Sequence, residues 1–371
     1  MNFELSDEQQ SLKQMTRDLL SRSYDYAKVA QVAGGEVGWS SDVWKALGET
    51  GILGLCVDED HGGAGAGVRE LAVVAEELGR ALAPEPVLDG AVLPAEVIGR
   101  AGSDEQIARW VPALAAGEVF GALVSAEEGE PVGQVASRTD AGYVVSGRTM
   151  RVRNGHQAQV LVVSALLDGV VALFLVDSEQ SAVGRVRYRS HDRNRGAHIE
   201  FDCAVAELLP VGDSGQVLAA ARALAHAALC AEAVGVMDAA LSMTVEYLKA
   251  RRQFGAPLST RQALAHRVAD LFVLVESARS MALYAVGRLA AGVVDESVVS
   301  RADLQICRSG RVLAHECIHL HGGIGVTDEH PIGHLASRLI SVELRVGGAD
   351  AHLDVLADSV DSYSAVMAEL Q

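Results

Sequence analysis

Two short stretches carry the residues best suited to chemistry. The first, RRQFGAPLSTRQ at positions 251–262, places Arg251 and Arg252 beside Phe254, a Gly and a Pro, directly after a long Ala-rich apolar run. The second, HLHGGIG at 319–325, sets His319 and His321 against Gly322, Gly323 and Gly325. A guanidinium is a permanent cation with a planar fork of donors, so its chemistry is the recognition of anions. The chain carries a formal net charge of -18, which disfavours broad attraction to nucleic acid or an anionic membrane. An anionic ligand must therefore be met by a local cluster. Two arginines at a helix C-terminus also favour the macrodipole with no ligand at all, and both readings stand at this point.

Other candidates are weaker. His315, His319 and His321 could point to a metal, but no accompanying Asp or Cys set selects one, so no metal is expected. HGGAGAG from His61 resembles a phosphate loop yet lacks a following Lys-Ser/Thr and a βαβ setting; it reads as a turn before the next helix. Cys56, Cys203, Cys230, Cys307 and Cys317 are scattered without CxxC spacing. That argues against a disulfide framework or a zinc site and for buried, reduced thiols.

The elements that must position these residues follow from the hydrophobic period. A chain of 371 residues exceeds what one core usually serves, so two or three domains are expected. Apolar residues first recur at three and four, with Ser6 and Gln9 spaced as a capping box and a later helix stopped by Pro84 and Pro86. From Val119 the pattern alternates, and YVVSGRTMRVRNGHQAQVLVVSA, GVVALFLVD and AHIEFDCAVA read as short strands. From Ser214 long Ala- and Leu-rich helical stretches return, four or so of them, enough for a bundle. The expected fold is α+β: an N-terminal helical domain (1–118), a middle β-barrel-like domain (119–213) and a C-terminal four-helix bundle (214–371). MNFELSDEQQSLKQM has no signal-peptide or transit pattern, and no uninterrupted run is read as long enough to span a bilayer, so a cytoplasmic protein without membrane partners is expected.

WKALGETGILGLCVDEDHGGAGAGVRELAVVAEELGRAL, RRQFGAPLSTRQALAHRVADL and HLHGGIGVTDEHP, in helical, β, helical order, resemble the acyl-CoA dehydrogenase family over essentially the whole chain. The last two stretches are the most specific. The resemblance implies a three-domain flavoenzyme fold that oxidises the α,β carbons of an acyl-CoA, with a carboxylate removing the α-proton and hydride passing to FAD. It implies a shared cofactor site, the flavin ring lying between the β domain and bundle of one subunit and the ADP half reaching the bundle of a neighbour. Arg251 then grips the pyrophosphate, Phe254 lies beside adenine or ribose, and Gln262 bonds the cofactor. His319, where the family often has Gln, donates one hydrogen bond, and Gly322, Gly323 and Gly325 let the nucleotide approach the backbone. SHDRNRGAHIEF from Ser190 reads as a solvated loop, an intersubunit or acyl-CoA edge contact being the alternative.

The same register exposes departures. The slot of one family base falls on Val346 and that of the other on Ala221, beside Arg222; neither side chain accepts a proton. Glu343, Asp350, Glu232 and Glu246 read as surface carboxylates, with Glu343 retained as a candidate base. In RVRNG, Arg151 and Arg153 occupy the slots of the ring-covering Trp and Thr, with Asn154 and Gly155 in register, and Glu127, Glu128 and Glu130 add charge to the ring loop. Nucleotide-side motifs kept beside lost base positions resemble the base-lacking subunit of actinobacterial, steroid-associated acyl-CoA dehydrogenases. Those are heterotetramers (α2β2) with FAD only at the heteromeric sites. The resemblance implies a homologous partner carrying the catalytic Glu. The alternatives are a self-sufficient homotetramer with an unrecognised base and a non-redox acyl-CoA-binding scaffold.

Overall fold

Ser6 opens the first helix as its spacing predicts. Its hydroxyl accepts from the Gln9 N–H at 3.2 Å while the Gln9 side chain accepts from the Ser6 N–H at 3.0 Å, satisfying two donors the helix leaves unpaired. The computed structural model describes residues 4–126, 131–210 and 212–358. Six helices come first: α1 (Asp7–Ser23), α2 (Tyr26–Gly34), α3 (Ser41–Glu49), α4 (Val68–Ala81), α5 (Leu93–Ala101) and α6 (Asp104–Ala115). Seven strands follow: β1 (Gly121–Val124), β2 (Gln134–Thr139), β3 (Gly142–Arg153), β4 (Val160–Leu167), β5 (Val170–Asp177), β6 (Val183–Arg189) and β7 (Arg195–Leu208). Helices then return as α7 (Ser214–Ala250), α8 (Gln262–Ala290), α9 (Glu296–His321), α10 (Pro331–Arg345) and α11 (Ala349–Asp358), with two short strands, β8 (Arg252–Gln253) and β9 (Ala256–Pro257), between α7 and α8. The helical, β, helical order is thus the one the period changes predict.

Contacts group the described residues into two units, one drawn from Met1–Val29, Ala72–Ala83 and His226–Gln371, the other from Ala30–Leu71 and Pro84–Ala225. The division falls inside α4 and inside α7.

In the second unit the strands close on themselves. Pairings β4–β2, β2–β3, β3–β7, β7–β5 and β5–β4 form a ring, with β1 beside β4 and β6 beside β7. A closed ring leaves few free edges to manage. VLVVSALL of β4 is apolar on both faces because both are covered. Leu161, Val163 and Ala165 pack inside with Phe174 and Ile199, whereas Val160 and Val162 pack outward among Ile98, Leu114 and Leu218. β6, VGRVRYR, escaped the sequence reading because three arginines mask its alternation.

In the first unit, EELG of α4 is a packing device. Glu77, 1% exposed, takes a two-pronged bond from Arg17 at 2.7 and 2.8 Å. Glu76 accepts from Lys13 at 3.0 Å and Arg279 at 3.1 Å, and Arg80 pairs with Asp238. A Cβ added at Gly79 would lie 2.1 Å from the Glu232 carbonyl oxygen of α7, and one at Gly235 would lie 1.9 Å from the Glu76 carbonyl oxygen. The two backbones touch where each helix places a glycine under the other. Farther along the chain, α9 packs against α8, α10 and α11.

Two expectations are corrected here. α7 is long and apolar enough to cross a membrane by length and composition, yet 67% of its most apolar window is buried inside the protein, as in the core helix of a bundle. The thiols are not all buried: Cys230, Cys307 and Cys317 are, but Cys56 is half-buried and Cys203 is exposed. Burial pushes the Cys56 thiol up to about 12, so little thiolate forms there. A thiol-specific colorimetric reagent at neutral pH should therefore titrate Cys203 rapidly in the folded chain and the rest only on unfolding. Loss of the fast phase in Cys203→Ser is the check.

Candidate functional site

The segment RRQFG ends a helix and makes a turn. The Arg251 N–H closes α7 on the Tyr247 carbonyl at 2.8 Å, and β8 pairs with β9 so that Phe254 and Gly255 are the two loop residues of a hairpin. Both have positive φ, +52° and +81°, the conformation such a turn demands. Gly adopts it freely, but Phe does not, and a bulky residue held there is a strained position of the kind that clusters at ligand sites. The ring is 89% exposed, and the Arg261 guanidinium lies over it at 5.6 Å. Among the described residues the Arg251 side chain has no partner, so its fork is available to a ligand.

Gln262, also exposed, opens α8 behind Arg261, whose side chain makes no capping bond, so the N-terminal amides of α8 are uncapped by it. Such an end favours negative charge. From the first turns of α8, Arg267 reaches α9: it bonds Glu316 at 2.7 Å and His319 Nδ1 at 2.9 Å. A guanidinium only donates, so Nδ1 accepts and the neutral ring carries its proton on Nε2. His319, exposed, is thereby left with Nε2–H as its donor.

Tyr247, one turn before Arg251, stacks on His321 with ring centres 4.5 Å apart, and His330 lies 4.7 Å from His321. This stack joins the two stretches that the sequence singled out. His321 Nδ1 donates to the Cys317 carbonyl at 2.7 Å. Burial lowers the pKa of His321 and of His330, which favours their neutral forms. The three histidines of HECIHLHGG do not converge: His315 and His319 are exposed and His321 is buried.

The glycines divide by what surrounds them. A Cβ at Gly322, where φ is +66°, or at Gly323 would meet nothing within 4 Å, so the packing of this chain does not require their bareness. At Gly325 a Cβ would lie 2.6 Å from the Ile318 carbonyl oxygen; that glycine is needed for the turn itself.

The two positions that the resemblance gives to the base, Ala221 and Val346, are apolar and buried. Ala221 is 0% exposed and Val346 3%. Val346 caps α10, and its carbonyl accepts from His352 Nε2 at 2.6 Å. The nearby carboxylates need a correction. Glu246 and Asp350 are exposed as expected, but Glu343 is buried under a two-pronged contact from Arg311, and Glu232 bonds Arg338 at 2.7 Å with both side chains largely buried. Each is a structural ion pair, so Glu343 is already engaged by a cation.

One polar cluster was missed by sequence reasoning. Asp303, 0% exposed, accepts from His226 Nδ1 at 2.6 Å and from the Cys230 thiol at 3.2 Å, with His352 Nε2 3.6 Å away. Ser300 lies 3.2 Å from His352 Nδ1. These residues come from α7, α9 and α11. The signal was available: Asp303 sits in helical phase with buried Ile306, Cys307 and Gly310, and an acid on an apolar stripe must find partners.

On the β side, Arg151 sits at a bulge of β3 with φ +58°, exposed, its N–H donating to His198 Nδ1 at 3.1 Å. Arg153 is half-buried, while Asn154 is buried and donates to the Gly121 carbonyl at 2.9 Å. Glu127, Glu128 and Glu130 lie outside the described residues.

These features can be set beside known proteins. The profile described as "Acyl-CoA dehydrogenase, N-terminal domain" matches residues 6–118, and that described as "Acyl-CoA dehydrogenase, C-terminal domain" matches 216–360. The acyl-CoA dehydrogenase FadE27 of Mycobacterium tuberculosis is 30% identical over 325 residues, 84% of this chain and 86% of that one. Mitochondrial isovaleryl-CoA dehydrogenase of Solanum tuberosum is 31% identical over 313 residues, 79% and 76% of the two chains. Among solved structures, the ChsE4-ChsE5 complex from Mycobacterium tuberculosis matches with TM-score 0.91 at 28% identity, covering 97% of this chain and 99% of that one. A variant of the Tcur3481-Tcur3483 steroid ACAD matches with TM-score 0.88 at 29% identity and the same coverage. With matching profiles on both flanks and a structural likeness that spans nearly the whole chain, the chain belongs to the acyl-CoA dehydrogenase family.

Proposed function

We propose that this chain is the nucleotide-gripping, base-lacking subunit of a heteromeric, FAD-dependent acyl-CoA dehydrogenase. It lends the ADP side of the FAD site to a homologous partner that carries the catalytic Glu, in a cytoplasmic heterotetramer with two copies of each subunit. The observation that supports this reading is an asymmetry: Arg251 and Phe254 stand exposed at the end of α7, whereas Val346 and Ala221 are buried and apolar where the resemblance would put a base.

The residues fit the dinucleotide. Open space over Gly322 and Gly323, the exposed fork of Arg251, the exposed ring of Phe254 and the Nε2–H of His319 are each of a kind that suits a nucleotide, and the Tyr247–His321 stack ties the two stretches together. When bound, FAD supplies the hydride acceptor for oxidation of the α,β carbon–carbon bond of an acyl-CoA. In this arrangement Arg251 holds the pyrophosphate, Phe254 covers adenine or ribose, and Gln262 and His319 fix orientation. Removal of the α-proton falls to the partner, because no carboxylate here occupies a base slot. ChsE4-ChsE5 is a complex and Tcur3481-Tcur3483 is a steroid ACAD named by two components; both support a two-component assembly, and the second supports a steroid thioester as substrate.

The test is to express the chain alone and with candidate partner subunits, then measure bound flavin and acyl-CoA oxidation. Flavin and turnover should appear only in the co-expressed complex. Full loading and turnover by the isolated chain would instead identify a self-sufficient homotetramer. Acyl-CoA binding with no flavin in any assembly would identify a scaffold.

A further inference from the structure

The β unit holds a cationic layer that the nucleotide end does not use. Arg185, Arg187 and Arg189 alternate along β6, so they share one face, and their register partners on β7 are Ile199, Ala197 and Arg195. Directly paired residues point the same way. Ile199 and Ala197 are 0% exposed, and Val152, opposite Ala197 on β3, is 3% exposed. The arginines therefore lie on the Ile199 side of the sheet, Arg185 and Arg195 partly buried and Arg187 and Arg189 exposed at its edge.

Two of the four are pinned at its base. Arg185 donates to the carbonyls of Ala158 at 2.9 Å, Ser178 at 3.1 Å and His156 at 3.4 Å. Arg195 donates to the carbonyls of Ala33 at 3.3 Å and Gly35. Arg187 and Arg189 are exposed and have no hydrogen bond or ion pair among the described residues. Beside them, both ring nitrogens of His156 and the Nε of Arg195 are buried without a partner. Burial and then the nearby Arg187, Arg195 and Arg185 lower the His156 pKa to about 4, so the ring is neutral at physiological pH, with one donor and one acceptor.

Charges on an edge strand such as β6 can serve only to block strand addition. That role accounts for the exposed Arg187 and Arg189; it does not account for Arg185 and Arg195, partly buried on the same side, nor for three orphaned polar atoms beside them. A dianion with several acceptor oxygens answers both: it neutralises the guanidiniums and receives donors from more than one direction. A carboxylate has a single charge and two oxygens for the same set.

We infer that Arg187, Arg189 and Arg195, with His156, form a binding site for the phosphate of a small organic phosphate, separate from the Arg251 end. Calorimetric titration of the full chain with sodium pyrophosphate and with adenosine 3′,5′-bisphosphate tests it, using wild type, the double variant R187E/R189E, and Arg251→Ala. Saturable binding is expected in wild type and in Arg251→Ala, weakened at least ~10-fold in R187E/R189E, since each lost charge-assisted bond is worth that much. The ring resonances assigned by their loss in His156→Gln should titrate at higher pH when the probe is bound. Tighter binding of the bisphosphate than of pyrophosphate points to a nucleotide source, and equal binding to free phosphates. Failure of both probes to bind, or equal binding by R187E/R189E, overturns the site. Loss of binding in Arg251→Ala alone would assign it to the helical unit and also overturn it. Both reversed residues are exposed, and an unchanged melting curve confirms the fold.

Discussion

In a co-expressed complex, Arg251→Ala should weaken flavin retention by roughly 10- to 150-fold, the range of one charge-assisted hydrogen bond of about 1.5–3 kcal/mol. The effect belongs to binding alone. Arg251 is exposed, only its backbone joins the end of α7 and the following turn, and its side chain has no partner among the described residues. The fold and the subunit ratio should therefore be unchanged while the visible flavin band of the purified complex falls. Arg251→Lys keeps the charge and loses the fork, so it should sit between the two. Lys249→Ala, which removes only an exposed pair with Glu246, should leave flavin content unaltered and controls for lost positive charge nearby. A complex of Arg251→Ala with the flavin content of wild type would remove this residue from the site.

Gly235→Ala should destabilise the helical unit by about 3 kcal/mol, the upper end of the usual cost of overpacking. The offending atom would meet backbone, the Glu76 carbonyl 1.9 Å away, rather than the yielding tip of a side chain. A fall in melting midpoint of roughly 5 °C or more follows. Gly79→Ala should behave alike, because its Cβ meets the Glu232 carbonyl at 2.1 Å. The double variant should cost less than the sum, since one outward shift of α4 from α7 relieves both collisions. Gly99 of α5 supplies the contrast: it is exposed, nothing lies within 4 Å of its would-be Cβ, and alanine there should stabilise by up to about 1 kcal/mol. Equal melting temperatures for all these variants would show that the crossing yields easily.

What the sequence reveals depends on how local the cause is. The Ser6 cap, the stop at Pro84 and the apolar run of β4 each rest on neighbours in the chain, and all are legible. The strand β6 is not, because three arginines mask its alternation and the strand it pairs with, β7, comes later in the chain. RRQFG shows its residue types but conceals its shape: the strained Phe254 turn emerges only from the hairpin. Glu343 and Glu232 look like surface acids because their partners, Arg311 and Arg338, come from 32 and 106 residues away. Asp303 needs partners on α7, which periodicity flags without naming. That Val346 and Ala221 cannot take a proton, by contrast, depends on residue identity alone.

The ring of strands in the β unit is uneven around its circumference. β7 meets β5 through just Phe174↔Leu208 and Leu175↔Glu207, whereas β4 and β5 pair over eight positions. Thermal breathing should begin at that two-rung seam, where the Leu209 amide bonds the Leu173 carbonyl at 2.8 Å, so the amides of Leu175 and Leu209 should trade hydrogen for deuterium sooner than those in the middle of β4.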